Sequence, residues 1–199
     1  MSPPHVEEYV MNISHTRRRA AAALALALSF AAVAPQARAA DAGEPFGPGC
    51  AALPKQGPGS PSVMAGQPVA TAAAGNPALS TLASAVKQAG LVDTLNNAEG
   101  ITVFAPTDEA FAKIPKADLD KVLADKAALT KILTYHVVGS TVDKPDLADG
   151  SFTSLEGGTL TTSGSGDSYK VNGTAAIVCG DVATSNATVH VVDTVLMPK

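Results

Sequence analysis

The chain has 199 residues, which is enough for one domain with a substantial core. All of its arginines lie before residue 40, so the sequence after Ala39 carries 10 lysines, no arginine and 16 acidic residues, a net charge of −6. Nucleic-acid binding and phosphate recognition rely on positive charge, and on arginine in particular. This composition therefore argues against a nucleic-acid-binding protein and against a phosphate-handling enzyme.

Residues 1–39 have the pattern of a secretory signal peptide. Consecutive arginines from Arg17 to Arg19 precede an apolar run over 20–34, and small residues at Ala37 and Ala39 form an A-x-A cleavage site. The run is short and rich in alanine for a membrane span, and an uncleaved anchor is the alternative. We predict that the mature protein is secreted and that only this leader contacts the membrane.

Residues 40–75 are rich in Pro, Gly and Ala and show no apolar periodicity, so we predict an extended N-terminal arm. The arm contains Cys50, and the chain has one other cysteine, Cys179. An even cysteine count in an exported protein suggests a disulfide, and two free buried thiols are the alternative. A bridge between the two would staple the arm to the domain. With no histidine nearby, the pair does not predict a zinc site.

The domain is predicted to span residues 76–199, and its first half reads as helices around one strand. Asn76 is a good N-cap, Pro77 suits a first helical turn, and apolar residues recur at helical spacing until Gly90. The segment "ITVFAP", which begins at Ile101, is β-branched and aromatic and predicts a buried strand.

A second helical region follows this strand. Thr107 is positioned to cap a short helix whose first turn carries Asp108 and Glu109, where carboxylates suit the helix dipole. The segment "ADLDKVLADKAALTKILTYH", residues 117–136, is helical in its apolar pattern.

The second half predicts short strands. From Tyr135 the pattern alternates, and Gly-rich turns follow, of which Asn172-Gly173 is the strongest hairpin signal. The segment "ATVHVVDTVLMP", residues 187–198, predicts a final strand. Helices followed by a β-meander indicate an α+β domain.

Three segments together resemble the fasciclin domain family. They are the first block "ITVFAPTDEAF" (101–111), the central block "ILTYHVV" (132–138) and the closing block "VHVVDTVLMP" (189–198), and their order and separations also match. Near the cysteines, "GPGC" and "IVCG" resemble secreted immunogenic proteins of mycobacteria within that family. The resemblance implies a wedge of two β-sheets with a cluster of helices at one end.

The resemblance also implies an extracellular interaction module, often linked to cell adhesion, with no catalytic activity, metal or cofactor. In animal members the tyrosine-histidine pair and a later Asp-Ile pair are tied to partner binding. The corresponding residues here are Tyr135, His136, Asp181 and Val182, so valine replaces isoleucine. The expected partner is an unknown cell-surface or matrix protein or glycan, and the chain is expected to be a monomer.

The pair Tyr135-His136 can be a scaffold element, a binding surface or a reactive pair. Neighbours in a strand face opposite sides, so we expect one of the two to be far more buried than the other. A buried histidine must form a hydrogen bond, and we hypothesise that His136 bonds to Thr107 or Asp108. Such a bond would tie the central block to the first block, and we favour this scaffold role.

Other chemical candidates are few. His190 and Asp193 fall on opposite faces of the final strand, and we expect His190 at a partly polar surface. The chain has no G-x-S-x-G elbow, its glycines at 164–166 precede no helix, and its aspartates lack calcium-loop spacing. We therefore predict a non-enzymatic interaction module. The alternatives are a carrier of a small apolar or envelope ligand and, less favoured, a minor hydrolase.

Overall fold

The computed structural model describes residues 43–198, so the predicted leader lies outside the described residues. Within that range the helices are α1 (Pro61–Met64), α2 (Val69–Gly75), α3 (Ser80–Ala89), α4 (Val92–Asn97), α5 (Asp108–Ala112), α6 (Lys116–Ala124) and α7 (Lys126–Tyr135). The strands are β1 (Ile101–Pro106), β2 (Val137–Val138), β3 (Asp149–Thr153), β4 (Thr159–Ser165), β5 (Ser168–Val171), β6 (Ala175–Ala183) and β7 (Ala187–Val192). Short 3₁₀ turns occupy Pro48–Ala52, Pro77–Leu79 and Lys144–Leu147.

The strands form one mixed sheet in the order β2-β1-β7-β6-β5-β4-β3. The β1–β7 pair is parallel and every other pair is antiparallel. Two sheets were expected from the family resemblance, and the described residues contain a single continuous one instead. The register of β6 against β7 shifts between Ile177 and Cys179 and again before Val182, and such bulges increase local twist and bend.

The bent sheet curls until its two ends almost meet. Val138 in β2 forms a bridge with Ser154, which directly follows β3, and the Leu155 N–H donates to the Val137 carbonyl at 2.7 Å. The result is close to a closed barrel, because the first and last strands of the sheet are linked across the gap.

Two apolar cores lie on opposite faces of this sheet. Odd-numbered residues of β1, such as Val103, pack against the helices, whereas Phe104 points into the barrel interior. Strand β7 divides in the same way, with Val191 on the helix side and Val192 inside the barrel. Every residue of β1 and β7 is therefore buried.

The N-terminal segment is not the extended arm that its composition predicted. It forms the 3₁₀ turn Pro48–Ala52 and helices α1 and α2, and it buries Met64 and Ala72. Small alanine side chains allow α2 to pack closely on α3 and α4, so a segment without large apolar residues still contributes to the core. Phe46 extends the sheet through a bridge to Gly180.

Several local predictions are confirmed. Asn76 accepts a hydrogen bond from the Ala78 N–H, Thr107 accepts one from the Ala110 N–H, and Gly90 ends α3 at φ 75°. The predicted strand beginning at Ile101 is β1. Tyr135, however, is the last residue of α7 and not part of a strand, because the His136 N–H still bonds to the Ile132 and Leu133 carbonyls.

Candidate functional site

His136 sits at the C-terminal cap of α7 and is 2% exposed. The Leu196 N–H donates to its Nε2 at 2.9 Å, so the ring proton lies on Nδ1, which donates to the Ile132 carbonyl at 2.8 Å. The expected bond to Thr107 or Asp108 is wrong, since both ring nitrogens are already engaged. His136 instead ties the central block to the closing block. Burial lowers the pKa of His136 to about 4, against a smaller upward effect of its bond to Ile132.

Asp108 has a different structural task. Its carboxylate accepts hydrogen bonds from the Ser80 hydroxyl at 2.6 Å and the Thr81 N–H at 2.8 Å, and so caps the start of α3. Burial pushes the pKa of Asp108 upward, but these hydrogen bonds outweigh it and the pKa falls below its ordinary value. Thr107 caps α5 next to it. Asp108 therefore holds the first block to α3 rather than to His136.

Tyr135 is also buried, at 3% exposed, so the expected contrast with His136 is wrong. The reason is that Tyr135 ends a helix, whose geometry does not place neighbours on opposite faces. Its hydroxyl donates to the Thr159 carbonyl at 3.1 Å and accepts from Asn172 Nδ2 at 3.1 Å. Tyr135 thus links α7 to β4 and to the turn between β5 and β6.

Asp181 and His190 form a second buried pair. Asp181 adopts a left-handed conformation, φ 53°, and its N–H donates to His190 Nδ1 at 3.2 Å. His190 Nε2 therefore carries the ring proton and donates to the Val142 carbonyl at 2.9 Å. The Lys144 N–H donates to Asp181 Oδ2 at 3.2 Å.

The expectation that His190 lies at a partly polar surface is wrong, because the ring is fully buried inside the barrel beside Phe104. Burial lowers the pKa of His190 to about 4, and it raises the pKa of Asp181. At neutral pH the contact of 3.9 Å between His190 Nδ1 and Asp181 Oδ1 is consequently not an ion pair.

All four residues predicted to bind a partner thus lie inside the domain. Val182 is fully buried against the helix-side core, and Asp181 is 2% exposed. The prediction that Tyr135, His136, Asp181 and Val182 contact a partner stays a prediction. The geometry gives each of them hydrogen bonds or packing contacts that hold the fold together.

The disulfide between Cys50 and Cys179 is confirmed. It fastens the 3₁₀ turn Pro48–Ala52 against β6, where a Cβ at Gly49 would come within 2.9 Å of the Val178 carbonyl oxygen. Glycine at this position is what allows the segment to approach the strand so closely.

The concave features of the described residues include an apolar cavity, a cleft and a polar depression. An apolar cavity of about 30 Å³ lies among α2, α3, α7 and β1, next to Phe104 and His136. A cleft of about 260 Å³ lies beside the disulfide and the start of α5, with Asp108, Glu109 and Asp193 in its wall. A polar depression of about 350 Å³ is lined by Tyr135, Glu156, Gly158, Thr159, Thr161 and Asn172.

Sequence reasoning identified Tyr135 in the polar depression and missed its other lining residues. The Asn172-Gly173 turn was predicted as a hairpin, and its place in this depression was not. Asn172 also has φ 52°, and its side chain reaches back over β4, accepting from the Thr161 N–H at 3.0 Å. No spacing rule connects residues 156–161 with residue 172 and the end of α7, because the sheet topology brings them together.

The family model described as "Fasciclin domain" matches residues 77–198. The chain belongs to this fasciclin domain family. The cell surface glycolipoprotein MPB83 of Mycobacterium bovis is 48% identical over 176 residues, covering 84% of this chain and 79% of that protein. The immunogenic protein MPB70 of Mycobacterium bovis is 46% identical over 167 residues, covering 80% of this chain and 85% of that protein.

The fold is also similar to a solved fasciclin structure, the domain pair from the insect cell adhesion molecule fasciclin I. The TM-score is 0.50 at 20% sequence identity, and the match covers 60% of this chain and 45% of the insect chain. The likeness concerns the fold alone, and the chain spans under half of the insect protein's length.

In this fasciclin domain the three signature blocks meet at His136. The Phe104 N–H of the first block donates to the His136 carbonyl at 2.8 Å, and Leu196 of the closing block donates to the ring. The Thr107 N–H donates to the Val192 carbonyl at 3.1 Å, which joins the first and closing blocks directly. The family's sequence signature therefore marks the part of the molecule that holds β1, β2, β7 and α7 together.

The described residues contain neither a histidine paired with a hydroxyl nucleophile nor a cluster of metal ligands. The ring nitrogens of His136 and His190 bond to backbone groups and not to a serine or threonine hydroxyl. No cluster of three or more potential ligand side chains suits a metal ion between residues 43 and 198.

Among the helices that are described, none is long and apolar enough to span a membrane.

Proposed function

We propose that this fasciclin domain is a secreted, non-enzymatic interaction module of the cell surface that recognises its partner through its outer surface. The observation that carries the proposal is the engagement of His136 and His190, the two histidines among the described residues. Each ring donates to one backbone carbonyl and accepts from one backbone N–H inside the protein. Neither ring has a nitrogen left for proton transfer to a substrate, which leaves recognition to the exposed groups.

The relatives support the location and the kind of role. One is named a cell surface glycolipoprotein, and another is named an immunogenic protein. The net charge of −6 after Ala39 and the absence of arginine there favour a neutral or cationic partner over an anionic one.

The two alternatives have less support. A carrier needs a pocket of about 300–1,000 Å³ with apolar walls, whereas two apolar cavities measure about 30 and 10 Å³ and the cleft of about 260 Å³ has three carboxylates in its wall. A hydrolase needs a nucleophile paired with a base, and both histidines bond to backbone instead.

The proposal is tested by saturable binding of the labelled secreted protein to intact cells and to their surface extracts. We expect binding that unlabelled protein competes away and that is lost after reduction and heat unfolding. A matched comparison uses His136→Gln, which alters the interior without altering the outer surface, and which should bind normally when folded. Non-saturable binding, or equal binding of the unfolded protein, would contradict the proposal.

A further inference from the structure

The polar depression has the size and wall of a small-ligand site. Its volume of about 350 Å³ falls in the range of about 300–1,000 Å³ typical of ligand pockets. It lies where the end of α7, the turn between β3 and β4, the start of β4 and the turn between β5 and β6 come together. A protein partner would instead need an interface of about 800 Å² on each side with an apolar centre, which this small polar concavity does not offer.

The wall contains uncharged hydrogen-bond donors and acceptors and one carboxylate, whose charge is balanced by a neighbouring lysine. Thr159 and Thr161 are exposed residues of β4, and the Asn172 amide reaches over Thr161. Glu156 is the charged lining residue, and its Oε1 lies 3.4 Å from the Lys131 ammonium. The depression is therefore close to electrically neutral, and the carboxylate inside it disfavours phosphate and other anions.

The groups are held in place before any ligand arrives. Asn172 Oδ1 accepts from the Thr161 N–H at 3.0 Å while its Nδ2 donates to the Tyr135 hydroxyl at 3.1 Å. Glu156 Oε2 accepts from the Gly158 N–H at 3.1 Å. Because these side chains are already ordered, binding would cost little conformational entropy.

Gly158 allows the turn between β3 and β4 to lie directly against the Tyr135 ring. A Cβ at this position would lie 2.8 Å from Cε2 of the Tyr135 ring and 2.9 Å from Glu156 Oε2. The backbone conformation of Gly158 does not itself require glycine, since its φ is not among the positive values. The glycine is therefore explained by space, because the turn lies too close to Tyr135 and Glu156 to admit a side chain.

We propose that the polar depression binds one or two sugar units of a neutral cell-surface glycan. Sugar hydroxyls donate and accept at once, so they match a wall of threonine hydroxyls, a fixed amide and a fixed carboxylate. This inference rests on the proposed function and names the chemistry of its partner.

The test is an NMR titration of the ¹⁵N-labelled protein with a panel of neutral sugars: methyl α-mannoside, maltose, lactose and N-acetylglucosamine. Glucuronate serves as the anionic comparison. We expect at least one neutral sugar to give saturable shifts at the Gly158, Thr161 and Asn172 amides, with a Kd on the order of 1 mM. Glucuronate should give weaker shifts.

The matched variants remove hydroxyls without changing side-chain shape. Thr159→Val combined with Thr161→Val should weaken sugar binding about tenfold, a loss of about 1.4 kcal/mol, whereas Thr94→Val on α4 should leave it unchanged. Gly158→Ala should weaken binding, because the added methyl would displace Glu156 and Tyr135 from their places in the wall. Because that variant can disturb Tyr135, the threonine pair decides the question if Gly158→Ala misfolds.

Three outcomes overturn the inference: no saturable shifts for any neutral sugar up to about 10 mM, shifts confined to another surface, or undiminished binding by the double threonine variant. If cells still bind the protein saturably while the sugars fail, the glycan site is wrong and the interaction module stands. If cell binding also fails, the proposed function is wrong.

Discussion

The two halves of the sheet differ in how far their two faces are buried. In the helix-covered half, β1 and β7 bury every residue. In the open half, β4 and β5 alternate, so that Leu160 and Tyr169 point inward while Thr161 and Lys170 face solvent. The covered half contains the signature blocks, and the open half contributes most of the polar depression. The difference separates the residues that maintain the fold from those free to recognise a partner.

Lowering the pH should destabilise the helix-covered half of the sheet first, and this is the largest effect on stability that we expect. Burial lowers the pKa of both His136 and His190 from 6.5 to about 4. A histidine whose folded pKa is depressed stabilises the protein above its unfolded pKa, and that stability is lost as pH falls from about 6.5 to about 4. For each histidine, this pKa difference should lower the free energy of unfolding by about 3 kcal/mol as the pH falls across this window.

The measurement is urea unfolding at a series of pH values, with hydrogen exchange near pH 4.5 to locate the weakening. Protection should fall first in β1 and β7, because His190 lies on β7 and His136 bonds to β1 through the Phe104 N–H, whereas β3, β4 and β5 contain no histidine. His190→Gln should lower stability at pH 7 and flatten the pH dependence. Asp181 acts in the opposite direction, since burial raises its pKa and its protonation favours the folded state as pH falls. A stability that is flat between pH 7 and 4.5 would contradict the prediction.

Two phenylalanines offer a matched comparison of the halves. Phe104 on β1 is fully buried, whereas Phe152 on β3 is only partly buried at the edge of the same barrel core. Phe104→Ala should cost about 3–5 kcal/mol of unfolding free energy, and Phe152→Ala less than half of that because less apolar area leaves water. Urea midpoints of the two variants measure the difference. Equal losses would show that the open half is packed as tightly as the covered half.

Removing the Tyr135 hydroxyl should give the smallest effect. Tyr135→Phe loses the bonds to the Thr159 carbonyl and to Asn172 Nδ2, a cost of about 1 kcal/mol. Tyr169→Phe is the control, because that buried tyrosine packs edge-on against Phe46 at 5.3 Å between ring centres. Chemical denaturation should separate the two variants, and identical midpoints would mean that the hydroxyl does not join α7 to β4.

The sequence predicted local features better than distant ones. The caps at Asn76 and Thr107 depend on neighbouring residues, so residue type was enough to find them. The disulfide was inferred from a count of two cysteines. The burial of His190 was missed because alternation along a strand shows which residues share a face, but not that the sheet curls and encloses both faces.

Tyr135 and residues 43–75 show two further limits of prediction from sequence patterns. Leu129 and Leu133 continue helical spacing into a segment that also alternates, and the helix persists until its last N–H groups are bonded at His136. Alanines in α2 gave no apolar signal, yet their small size is what permits close helix packing. Within the polar depression, only Tyr135 was found from the sequence, since the other lining residues depend on how β4 meets the turn after β5.

The bridge between Cys50 and Cys179 spans 129 positions of the chain. A protease that cuts one peptide bond between them cannot separate the two resulting pieces, because the sulfur link still holds them together. The two pieces of a cleaved molecule would therefore stay joined and migrate as a single species until a reductant is added. In an environment rich in proteases, this covalent ring keeps the domain in one piece after a cut in any one of the loops between residues 50 and 179.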